Sequence, residues 1–63
     1  MRVEFWMREP GNHHCVATAD MSAVPRMGEA VTVQKGGIAY YVHSVSYEVD
    51  VKHNPVARVL LIP

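Results

Sequence analysis

The metal-competent side chains of this chain gather at one place, His13-His14-Cys15. Imidazole nitrogens and a thiolate are donors for zinc, nickel or copper, and His43 or His53 could add a further ligand. Spacing limits the idea. On an extended strand adjacent side chains point to opposite faces, so His13 and Cys15 can share a site while His14 cannot. Structural zinc takes two Cys or His pairs at two- to four-residue spacing, and only one such sub-pair exists. A nucleophilic Cys15 would need a base (His13, His14 or His43), and beyond it an oriented third group and an oxyanion site. Gly28, Gly36 and Gly37 are better explained as turns. The sequence therefore points away from an enzyme and names no catalytic, cofactor or metal residue. A metal- or thiol-dependent activity at His13/Cys15 stands only as a second alternative.

Recognition chemistry is better represented. Trp6 shares one strand face with Arg2, Glu4 and Arg8, and if Val3, Phe5 and Met7 face a core, Trp6 faces solvent or a partner. Tryptophan and arginine are the residues most enriched at interface hot spots. The same pair could stack a base and contact a phosphate. The plain alternative is a core Trp6, as a lone tryptophan in a small domain often is. Tyr40 and Tyr41 are adjacent, so one of them must face outward. Trp6, Arg8, Tyr40 and Tyr41 are the candidate partner-binding residues.

These side chains need a scaffold, and the scaffold reads as strands. Val3, Phe5 and Met7 alternate with Arg2, Glu4, Trp6 and Arg8, the period of a half-buried strand. Pro10-Gly11-Asn12 ends it, and His13 to Met21 returns as a second strand centred on Val16 and Thr18. Ser22 to Met27 is a connection holding at most one helical turn. Glu29 to Gln34 is predicted as a third strand with Val31 and Val33 inward, followed by a tight turn at Lys35-Gly36-Gly37. Ile38 to Lys52 is long for one strand, and its apolar parity shifts from Tyr40 and Val42 to Val45, Tyr47, Val49 and Val51. A bulge near His43-Ser44 reconciles the two halves, because one extra residue flips the alternation and bends the strand. His53-Asn54-Pro55 turns the chain into a last strand, Val56 to Ile62.

Size and charge bound what this scaffold can be. The 63 residues make one domain, 1–63. Burying about 6,000 Å², somewhat over half of it apolar, returns about 90 kcal/mol, against about 95 kcal/mol for ordering the chain, so added support such as an oligomer would help. Cys15 is the only cysteine, which excludes an internal disulfide framework and points to a reducing, cytoplasmic setting. No long apolar run suggests a membrane span or a secretory signal. Six basic and six acidic residues sum to zero. That disfavours nucleic acid as a partner, since phosphate affinity comes largely from lysine and arginine. Val56 to Ile62 is apolar on both faces near its end, so it is either a central strand or an edge through which a homo-oligomer pairs.

The run Met27-Gly28-Glu29-Ala30-Val31-Thr32-Val33, followed by Gly36-Gly37 and Val42/Val45, resembles the "Gly-acid-x-Val-x-Val … Gly … Val" opening of SH3-like barrels. It is also similar to short bacterial and phage proteins with a "Pro-Arg-x-Gly-Glu-x-Val … Tyr-x-Val-x-x-Val" pattern. The resemblance covers about residues 25 to 47 and implies fold rather than activity. Plasmid-type trimethoprim-resistant dihydrofolate reductase is also a short SH3-like barrel, with a Val-Gln-Ile-Tyr motif on a late strand. Here Val59-Leu60-Leu61-Ile62 stands in that place, without the glutamine or tyrosine. The expectation is an all-β, single small SH3-like barrel of about five strands with a long bent fourth strand. It would act as a protein-binding module, with a mobile-element accessory role in view. A nucleic-acid-binding barrel is the alternative.

Overall fold

The computed structural model describes residues 1–49, 52 and 54–63, with Glu9 described by its backbone only. Its strands are β1 (Arg2–Glu9), β2 (Asn12–Asp20), β3 (Ala30–Val31), β4 (Tyr40–Val49) and β5 (Pro55–Ile62). There is no helix among the described residues. The strands form one curled half-barrel sheet in the order β2-β1-β5-β4-β3. β1 and β2 make a hairpin, with Gly11 at φ 78° in the turn. The chain then crosses to the far edge, returns along β4, and inserts β5 between β4 and β1.

β5 is antiparallel to β4 and parallel to β1, with Val3 opposite Ala57 and Phe5 opposite Val59. Of the two readings of Val56 to Ile62, the central strand is the one observed. Both of its edges carry ladder hydrogen bonds, so β5 cannot pair its backbone with another subunit, and the expected homo-oligomer edge is corrected. Ala57, Val59 and Leu61 are buried on its core face, and Leu60 and Ile62 on the other face are only partly accessible, so the run carries apolar residues on both faces.

The core lies on one face: Val3, Phe5, Val42, Ala57, Val59 and Leu61 are buried. Met7, Ala17, Val31, Val33, Tyr40 and Val45 pack against them, and Met21 and Val24 from the connection cover part of that face. The expected bulge in β4 is present. Val42 pairs with Leu61 and Ser44 with Leu60, leaving His43 as the extra residue. The extra residue returns Val45 to the core face that Val42 occupies. The last predicted members of that strand, through Val51, and His53 of the following turn lie outside the described residues.

A second bulge was not legible in the sequence. Phe5 pairs with Ala17 but Trp6 pairs with Cys15, so Val16 is the extra residue in β2. The third strand is also shorter than Glu29 to Gln34. Only Ala30–Val31 are strand; the chain bends at Val33-Gln34, and a Gly37 N–H to Gln34 carbonyl bond of 2.8 Å closes the turn that follows. Gly36 sits there at φ 77°, and a Cβ on Gly37 would lie 2.9 Å from the Gln34 carbonyl oxygen. Val31 and Val33 nevertheless face inward, as their spacing implies.

Leu61 is wholly buried, so Leu61→Ala should lower unfolding free energy by about 2–5 kcal/mol, enough to unfold most of so small a domain. Ile38→Ala, at an exposed loop position, should stay within about 0.5 kcal/mol. Urea titration followed by tryptophan fluorescence measures both.

Candidate functional site on the outer face

The pleat that buries Val3 and Phe5 sends Glu4, Trp6 and Arg8 to the other face of the sheet. On β5 the same alternation buries Ala57, Val59 and Leu61 and turns out Arg58, Leu60 and Ile62. The parallel register sets Glu4 beside Arg58 and Trp6 beside Leu60. The β4 bulge puts Ser44 next to Leu60 and Ser46 next to Arg58. Trp6, His13, Ser44, Ser46, Arg58 and Leu60 line a shallow concavity of about 290 Å³.

Trp6 is half-buried on this face, so it belongs neither to the core nor fully to solvent. Its indole Nε1–H donates to Glu4 Oε1 at 3.1 Å. The Arg58 guanidinium lies 5.5 Å from the ring centroid and donates through Nε to the same Glu4 oxygen at 3.2 Å. Arg58 also pairs with Glu48 at 2.9 Å, and Arg2 reaches the other Glu4 oxygen at 3.5 Å. The Glu4 side chain is only 15% exposed. A half-buried carboxylate thus joins one indole and two guanidinium groups across β1 and β5, and Arg58 extends the network to β4. A cation held over an indole contributes about 0.5–1 kcal/mol at an exposed site, and here it also fixes the ring plane.

Of the other candidates, Arg8 lies on the same face, with Nη1 3.2 Å from His43 Nε2. His43 is the bulge residue, so the irregularity that bends β4 also supplies Arg8 with a contact. Tyr41 pairs with Ile62 and is half exposed on the outer face. Tyr40 is half-buried against the core and does not join the others, which corrects its place among the candidates. His13 pairs with Arg8 and Cys15 with Trp6, both outward, while His14 pairs with Met7. The inference that His13 and Cys15 share a face holds by ordinary alternation, and the Val16 bulge sets that face outward. Cys15 is exposed with its Sγ 3.5 Å from the Ala17 carbonyl. Among the described residues no three His, Cys, Asp or Glu side chains converge as metal ligands would.

Arg58, Ser44 and Ser46 were missed by sequence reasoning. Arg58 carried a usable signal: it is the one charge inside Val56 to Ile62, at the parity opposite Ala57 and Val59. The serines carried none, since their facing depends on the bulge. No protein family, curated protein or solved structure matches this chain.

Glu4→Ala should release both the indole and Arg58. The emission maximum of Trp6 should move to longer wavelength, with a stability loss of about 1 kcal/mol, small because both arginines are largely solvated. Glu48→Ala should leave the emission unchanged. Fluorescence spectra of the two variants decide the hub.

Proposed function

We propose that the protein is a small protein-binding module that captures its partner on the outer face of the sheet. Trp6 is the anchor, and Arg8 and Tyr41 are flanking contacts. The observation that carries this reading is the state of Trp6: an aromatic side chain outside the core, partly accessible, with its ring already oriented by Glu4 and Arg58. An anchor fixed before contact loses little rotamer entropy on binding, which is where much of the cost of association lies. Leu60 and Ile62, both partly accessible, extend apolar surface from the indole toward Tyr41. Ser44, Ser46 and Arg8 supply polar groups around them. This is the mixture of apolar centre and polar rim that interfaces use.

Nucleic acid is the weaker reading. Arg2 and Arg58 on this face are ion-paired to Glu4 and Glu48, which lowers the field available to phosphate. The SH3-like attribution rests on the run from Gly28 to Val33, and the likeness to short phage and bacterial proteins supports a mobile-element accessory role. The exposed single thiol of Cys15 supports a reducing, cytoplasmic setting.

A partner isolated on the wild-type protein and then purified should bind Trp6→Ala at least about tenfold more weakly, the loss typical of a hot-spot aromatic. Circular dichroism of the variant should match wild type. Undiminished affinity would remove the outer face from the reading. A gel shift on short DNA at low salt, abolished at moderate salt, would replace it with nucleic-acid binding.

A further inference from the structure

The core face of the sheet is not covered along its whole length. Beyond Val42 and Val45, the same face of β4 carries Tyr47, opposite the buried Ala57, and Val49, opposite Pro55. Tyr47 is 62% exposed and Val49 61% exposed, although they follow directly from the core row. Facing Val45 and Tyr47 across a groove is the connection Ala23-Val24-Pro25-Arg26-Met27, where Met27 is 72% exposed. Tyr47, Val49 and Met27 thus mark a concave end, lined also by Arg26, that no other described residue covers.

Overall dimensions agree. The chain exposes 4669 Å², whereas a compact monomer of its mass exposes about 4,100 Å². Its radius of gyration is 11.6 Å against about 10.6 Å expected for this length. The surplus, roughly 600 Å² over the whole chain, compares with the about 800 Å² that one partner contributes to a stable interface.

We infer that this concave end is a homodimer interface, occupied by the same end of a second copy of the chain. One patch holds both the projecting side chains, Tyr47 and Val49, and the groove between Val24-Pro25 and Val45 that could receive them. A two-fold contact requires that self-complementarity, because each subunit presents the same surface to the other. The chain's zero net charge offers no long-range repulsion between copies. The interface uses neither the backbone edges of β5 nor the outer face, so Trp6 stays available in the dimer.

Multi-angle light scattering and sedimentation equilibrium on the full chain test the inference. Wild type should show twice the chain mass at micromolar concentrations. Tyr47→Glu and, separately, Met27→Glu should each raise the dimer dissociation constant at least about tenfold with the far-ultraviolet dichroism unchanged. Trp6→Ala should leave the dimer mass as it is, which separates this surface from the proposed partner-binding face. If Tyr47→Glu unfolds the chain, Met27→Glu decides alone, since Met27 belongs to no strand. A monomeric wild type, or a dimer that Met27→Glu leaves intact, overturns the inference.

Discussion

The insertion of β5 between β1 and β4 is the constraint on which the molecule depends. A chain of 63 residues cannot surround a large core, and six hydrophobic side chains are buried among the described residues. Three of them, Ala57, Val59 and Leu61, come from β5 alone. The strand supplies half of the buried set and pairs its backbone on both sides. Every outward residue on β5 is fixed by the same pleat. Arg58 can lie over Trp6 only because Ala57 and Val59 face the core, so the candidate site is a direct consequence of how the core is filled.

The two faces of the sheet differ in what they leave incomplete. On the outer face, charge pairing restrains an aromatic group that water partly reaches, and the Glu4 carboxylate absorbs donors from Trp6, Arg2 and Arg58. On the core face, the six buried residues and Met21 and Val24 cover the middle, but the β4 end projects past them. The proposed partner-binding face and the proposed dimer face therefore do not compete for surface. Bulges make this possible: His43 resets β4 so that Val45 continues the core row. Val16 resets β2 so that His13 and Cys15 face the Trp6 side.

Much of the fold was legible where alternation is strong. Val3, Phe5 and Met7 against Glu4, Trp6 and Arg8 gave the alternation of β1, with the facing of Trp6 left open. The parity break between Val42 and Val45 located the β4 bulge, because large apolar residues stand on both sides of it. The β2 bulge was hidden because the inward residues there, Ala17 and Ala19, are too small to mark a face. The length of β3 was overestimated since Val31 and Val33 alternate correctly even though a turn, rather than a ladder, follows Val31. Parallel pairing of β1 with β5 joins segments more than fifty residues apart and has no local signature. For the site, Trp6, Arg8 and Tyr41 were recognisable by type. Arg58 stood out as the one charge inside Val56 to Ile62, but its place over Trp6 depended on that long-range pairing.

Amide hydrogen exchange measured residue by residue is the most direct test of the central position of β5. The backbone from Ala57 to Leu61 pairs with β1 on one side and β4 on the other, beneath a buried row, so its N–H groups should be the slowest to exchange in the chain. Those of β2, at an open edge with nearly every residue exposed, should exchange faster. Exchange in β5 as fast as in β2 would contradict the account, since a strand that opens as readily as the edge cannot be holding the sheet together.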